Sequence, residues 1–163
     1  MKKMLIATVA GLSLLLSSNV WSYDDEMAKS YDKLFSICSG SIVGKNLNLI
    51  KPEGLVKDLM AGKEIVILDV RTPEETDLVK VALPNSLTIP VDQVFKSENL
   101  AKIPTDKPVV VMCKGGGHSI AVGTALRHIG FHNVYMLMGG IAGLTKYYGP
   151  AQAYPKEKKV AAN

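Results

Sequence analysis

Three short runs in this chain carry almost no polar residue: residues 65–70 (Ile65-Val66-Ile67-Leu68-Asp69-Val70), 109–112 (Val109-Val110-Val111-Met112) and 134–137 (Val134-Tyr135-Met136-Leu137). A strand with one wet face alternates apolar and polar side chains, so runs that do not alternate belong to strands covered on both faces. Such strands form parallel sheets, whose crossover connections lay helices over each side. Residues 86–89 are a weaker fourth strand candidate. Helical patterns fill the intervals. Val122, Ala125, Leu126 and Ile129 recur at i, i+3, i+4 and i+7, and Gly130 follows as a left-handed cap. A second helix starts at Pro52 and stops before Gly62, with Leu55, Val56, Leu59 and Met60 toward the core. Met27, Tyr31, Leu34 and Phe35 mark one face of an N-terminal helix packed on the domain, and Ser39-Gly40-Ser41 and Gly44 mark a loop. Strands alternating with helices predict a three-layer α/β domain around a central, mainly parallel sheet.

The two ends of the chain read differently from this body. Lys2-Lys3, the apolar run 4–16 and the small residue Ser22 predict a secretory signal peptide over 1–22, cleaved before Tyr23. The polar cluster Ser17-Ser18-Asn19 cuts the apolar run short of the roughly 20 residues that a membrane span needs. Removing 1–22 deletes two of the 19 basic residues and none of the 15 acidic ones, so the net charge falls from +4 to +2. Lys156, Lys158 and Lys159 against Glu157 hold that remainder in a tail at 150–163 that is expected to be flexible. The body is therefore electrically balanced, which argues against nucleic acid as a partner. About 125 residues between signal and tail are enough for one core and too few for two ordinary domains.

Chemistry concentrates at the end of the 109–112 run. Cys113 is followed by Lys114-Gly115-Gly116-Gly117-His118-Ser119 and then a helix beginning near Ser119. The carboxyl ends of parallel strands are where α/β sheets place ligands. Three glycines let successive N–H groups turn inward around one point, and a helix start adds its positive end there. A thiol held at that point is expected to ionise more easily than a free cysteine, which suits a nucleophile. The same loop physics also suits a bound oxyanion, or a plain tight turn beside a buried cysteine.

Four segments in order decide between these readings: Ile67-Leu68-Asp69-Val70-Arg71-Thr72-Pro73-Glu74-Glu75, then Leu83-Pro84-Asn85-Ser86-Leu87-Thr88-Ile89-Pro90, then Val111 through Ser119, then Gly130-Phe131-His132-Asn133-Val134-Tyr135-Met136-Leu137-Met138-Gly139-Gly140-Ile141. Together they resemble the rhodanese family from about Ile50 to Tyr148. The resemblance implies a rhodanese-like domain over 48–149, preceded by an N-terminal helix and loop at 23–47, with a five-stranded parallel sheet. It implies that Cys113 is the catalytic residue, persulfidated by a donor such as thiosulfate. It further implies that the loop Lys114, Gly115, Gly116, Gly117, His118 and Ser119 binds the substrate, and that Asp69 and Arg71 support the site. Arg71 then pairs with Glu74 or Glu75, or stands in a solvated charge cluster.

The sequence departs from the family's pattern at several places. Val81-Ala82 replaces a common Gly-His, the connection after Arg71 is about two residues longer, and Leu144 stands at a frequent tryptophan position. His118 stands where many members carry arginine; with its imidazole neutral, Lys114 is the loop's only fixed side-chain charge, and thiosulfate is expected to bind less well. Related phosphatases and arsenate reductases place an arginine six residues after the cysteine, and here that residue is Ser119, which argues against phosphoryl chemistry.

The expected activity is thus sulfur transfer to a thiol, small or protein-borne, or to cyanide. The alternative is a non-catalytic rhodanese-like binding module. No metal and no cofactor is expected: Cys38 and Cys113 form no CxxC pair, and His128 and His132 read as surface residues. The expected location is periplasmic or secreted, with no membrane anchor after cleavage. In that oxidising setting Cys38 either bonds to Cys113 or remains unpaired, and the distance between their Cα atoms decides.

Overall fold

The computed structural model describes residues 23–83 and 85–149, so the signal-peptide and tail expectations lie outside the described residues. Five strands form one sheet in the order β1-β5-β4-β2-β3, and every adjacent pair is parallel. They are β1 (Leu49–Ile50), β2 (Val66–Asp69), β3 (Ser86–Thr88), β4 (Val109–Met112) and β5 (Val134–Leu137). The helices are α1 (Asp25–Phe35), α2 (Val43–Asn46), α3 (Pro52–Met60), α4 (Pro73–Leu78), α5 (Ser97–Leu100), α6 (Gly117–His128) and α7 (Gly140–Tyr148).

The central strands β2 and β4 are buried at all four positions, as their apolar runs require, and the one charged member, Asp69, is buried with them. Alternate residues feed two cores. Val66, Leu68, Val109, Val111 and Cys113 pack with Val122 and Leu126 of α6 on one face. Ile67, Val110, Met112 and Leu137 pack with Leu55 of α3 on the other, where Ile141 and Leu144 of α7 close the layer. Cys113 thus belongs to the α6 side of the sheet, at the carboxyl end of its most buried strand.

The fifth strand that the resemblance implied is β1, whose two residues are too few to show a period in the sequence. Three other expectations need correction. On α3, Leu55 is buried but Met60, at the last helical position, is exposed rather than core-facing. On α1, Met27 and Phe35 are exposed. That helix is held instead by Tyr31, whose ring stacks on His128 with centroids 4.2 Å apart, and by Ser30, whose Oγ lies 3.0 Å from His128 Nε2. His128 is accordingly half-buried rather than a free surface residue.

In α6, Gly123 lies under Met136 of β5. A Cβ there would sit 2.2 Å from Met136 Cγ and 2.8 Å from its sulfur. Alanine is the better helix former by about 1 kcal/mol, yet overpacking costs about 1–3 kcal/mol and outweighs it. Gly123→Ala is therefore expected to lower stability, by a net of up to about 2 kcal/mol in urea unfolding.

Candidate active site

The backbone N–H of Gly116 donates to Cys113 Sγ at 3.1 Å. This is possible because Gly116 adopts φ +101°, a left-handed conformation that turns its amide back toward the strand end. The residue also has no room for a side chain, since a Cβ would meet Gly139 N at 2.8 Å. Helix α6 starts directly after it, at Gly117 rather than near Ser119. The sulfur therefore sits where a donated amide and the first turn of a 12-residue helix converge. Both features favour negative charge on whatever atom occupies that point.

A second loop locks the first in place. Ile141 N–H donates to Cys113 O at 2.8 Å, and Ala142 N–H to Lys114 O at 3.0 Å. The start of α7 thus caps the carbonyls of the reactive loop. A Cβ on Gly140 would fall 2.2 Å from Cys113 O, so only glycine allows this approach. Ser119 is fully buried, and its Oγ donates toward Gly116 O at 2.8 Å and Leu137 O at 3.1 Å. Its hydroxyl therefore ties α6 to β5, and Ser119 serves the site from beneath the loop rather than from the wall of the cleft.

Cys113, Lys114, Gly115, Gly117 and His118 line one cleft of about 260 Å³, and Glu75 forms its remaining wall. Glu75 went unnoticed as a site residue in the sequence, although it lies within the Asp-Val-Arg segment. It closes a capping box with Thr72 at the start of α4, and its Oε1 lies 3.7 Å from Lys114 Nζ. Lys114 is thus partly neutralised rather than an unopposed charge.

Arg71 is placed differently from both expectations. It is neither solvated nor paired with a glutamate carboxylate: it is 4% exposed and lies against Asp69, with Nη2 2.6 Å from Oδ2 and Nε 2.9 Å from Oδ1. Asp69 and Arg71 are two apart along an extended segment, so their side chains share a side. Nη2 also donates to Val79 O at 2.7 Å, which ties the segment after α4 to the sheet. The Asp69 hydrogen bonds hold the guanidinium pKa above its usual value; burial opposes this, while the charges of Asp69, Glu75 and Cys113 add to it. Val70 N–H bonds to Met112 O, which sets this pair beside the root of the reactive loop.

Cys38 is not brought to Cys113, and both are free thiols. Cys38 follows α1, which is fastened to His128 at the end of α6, whereas Cys113 lies at that helix's start.

Substituting Gly116 tests the loop. Gly116→Ala would strain the positive φ and push on Gly139, withdrawing the amide from the sulfur. Reactivity of Cys113 toward a persulfide donor is expected to fall by about 10²-fold, measured by stopped-flow loading, with the fold retained by circular dichroism.

Residues 53–147 match the model of the rhodanese-like domain. The chain is 34% identical over 101 residues to the probable adenylyltransferase/sulfurtransferase MoeZ of Mycobacterium tuberculosis, a match covering 62% of this chain and 25% of that protein. It thus spans about a quarter of that relative's length. It is 28% identical over 107 residues to a sulfurtransferase of Allochromatium vinosum, covering 66% of this chain and 96% of the relative. Among solved structures, a rhodanese-like domain protein from Staphylococcus aureus superposes with a TM-score of 0.52 at 29% identity, over 60% of this chain and 90% of that one.

Proposed function

The chain belongs to the rhodanese-like domain family, and from that premise we propose that it is a sulfurtransferase that carries sulfane sulfur as a persulfide on Cys113. The observation that carries this reading is the Gly116 amide aimed at Sγ from 3.1 Å at the floor of an open cleft. A donor placed there serves an anionic sulfur before and after reaction without rearranging. With thiosulfate, the Cys113 thiolate attacks the outer sulfur, the sulfur–sulfur bond breaks, and sulfite leaves with the bonding pair. The persulfide anion then gives its outer sulfur to a thiolate or to cyanide, and Cys113 leaves as thiolate. Two covalent half-reactions of this kind give ping-pong kinetics. The relatives named as sulfurtransferases support the same reaction class.

Intact mass after treatment with thiosulfate or glutathione persulfide tests it. A gain of one sulfur atom that a reductant removes is expected. No gain from either donor overturns the reading and leaves a binding module in its place.

Export to the periplasm or beyond is part of the proposal and is supported by the pattern at 1–22. Protein recovered from its native host is expected to begin at or near Tyr23. Retention of Met1 would replace export with tethering.

A further inference from the structure

Beside the reactive cleft runs a second depression, of about 490 Å³, walled mainly by apolar side chains of α3, residues 79–83 and α7, among them Val56, Leu59, Val81, Leu83, Ile141 and Leu144. Its rim is unusually apolar. Met60 and Tyr148 are 75% and 60% exposed, and Leu78, just before Val79 of the wall, is 87% exposed. These are the three most exposed large apolar side chains among the described residues. Apolar surface that spills past a pocket onto the open face fits a polypeptide partner better than a small molecule.

Two links join this groove to Cys113. Ile141 lines the groove while its N–H caps the Cys113 carbonyl. Helix α4 places Glu75 in the wall of the cleft, and the chain runs on to Val79 in the wall of the groove. Charge points the same way. Lys114 and Glu75 give the cleft one side-chain charge of each sign, so nothing in them opposes a neutral peptide. Val81, Ala82 and Leu144, positions at which the sequence departs from the resembled pattern, all line the groove, and leucine leaves space that tryptophan would fill.

We propose that this groove seats an apolar side chain of a partner polypeptide whose cysteine lies a few residues away and exchanges sulfur with Cys113. The inference rests on the persulfide reading above. In the step itself, the partner's thiolate attacks the outer sulfur of the Cys113 persulfide. A new sulfur–sulfur bond forms on the partner, the bond to Cys113 breaks, and Cys113 departs as thiolate, so no external oxidant or reductant is needed.

The test uses protein preloaded with sulfur and three acceptors: glutathione, a peptide whose single cysteine is flanked by glycine and serine, and a peptide of equal length and charge with leucine two to four residues from the cysteine. The leucine peptide is expected to show a kcat/KM about tenfold higher than the other peptide, the gain that burying one leucine supports. Leu144→Trp, which fills the groove, is expected to bring that ratio near one while loading and glutathione turnover stay as in wild type. Val81→Lys, on the opposite wall, should do the same. Equal rates on the wild type, or a preference that survives both variants, overturns the proposal. So does a chain ending at Gly149 whose preference rises severalfold, since its own C-terminal residues would then be the occupant. Loading that fails altogether refutes the persulfide reading instead, and loading without peptide preference refutes only this one.

Discussion

Cys113→Ser is expected to abolish sulfur uptake from thiosulfate and from glutathione persulfide, a loss on the order of 10³-fold or more in rate, while the fold is kept. The side chain is buried, and the smaller, nearly isosteric hydroxyl can still accept the Gly116 amide, so unfolding curves should change little. A serine hydroxyl does not ionise at neutral pH and forms no persulfide, so the covalent half-reaction has no nucleophile. Cys38 supplies an internal control. It is retained in the variant as a half-buried free thiol just after α1. Intact mass should therefore show no sulfur gain on Cys113→Ser even with one thiol left. A gain that persists would move the chemistry to Cys38.

The second large effect concerns stability. Asp69→Ala leaves the Arg71 guanidinium buried at 4% exposure with backbone carbonyls as its remaining partners, Val79 O at 2.7 Å and Glu75 O at 3.5 Å. Breaking a buried pair by removing one partner costs about 3–5 kcal/mol, because the other charge stays uncompensated. In a domain of this size that lowers the melting temperature on the order of 10–20 °C. Replacing both residues together, Asp69→Ala with Arg71→Met, removes the stranded charge and should recover most of the loss. Calorimetry on the single and double variants separates the two. A double variant as unstable as the single one would mean that the Arg71 bond to Val79 O, and not the ion pair, holds this region.

The legible and illegible parts of this fold divide along physical lines. The strands β2 and β4 announce themselves because burial on both faces forces apolar residues into near-continuous runs, and β5 does so with one exposed position, Tyr135. The edge strand β1 is held by two register pairs with β5 and by the Asn48 side chain, whose Nδ2 donates to Val134 O; nothing in a two-residue run signals that. Cys113 and its glycine loop are readable because the chemistry requires those residue types in sequence. Ile141 and Ala142 fix the loop by donating backbone N–H groups to the Cys113 and Lys114 carbonyls, which leaves no trace in their identity, whereas Gly140 is marked by the missing Cβ that would meet Cys113 O. Arg71 shows the same limit from another side. Its neighbours offer two glutamates ahead and one aspartate behind, and only the extended backbone, which places i and i+2 on one side, selects Asp69. Glu75 meanwhile turns to Lys114.

The strand order has a consequence for when this domain can form. Among the described residues the first strand, β1, finds its only ladder with the last, β5, where Leu49 pairs with Met136 and Ile50 with Leu137. β5 is also the neighbour on one side of β4, the strand that ends at the reactive cysteine. Every pairing in the sheet joins segments separated by a crossover, so each is formed only after a long loop has closed. A nascent chain that stops short of Val134 has nowhere to dock β1 and lacks the Leu137 carbonyl that the Ser119 hydroxyl needs. Assembly of the reactive loop therefore needs the whole domain, through its last strand.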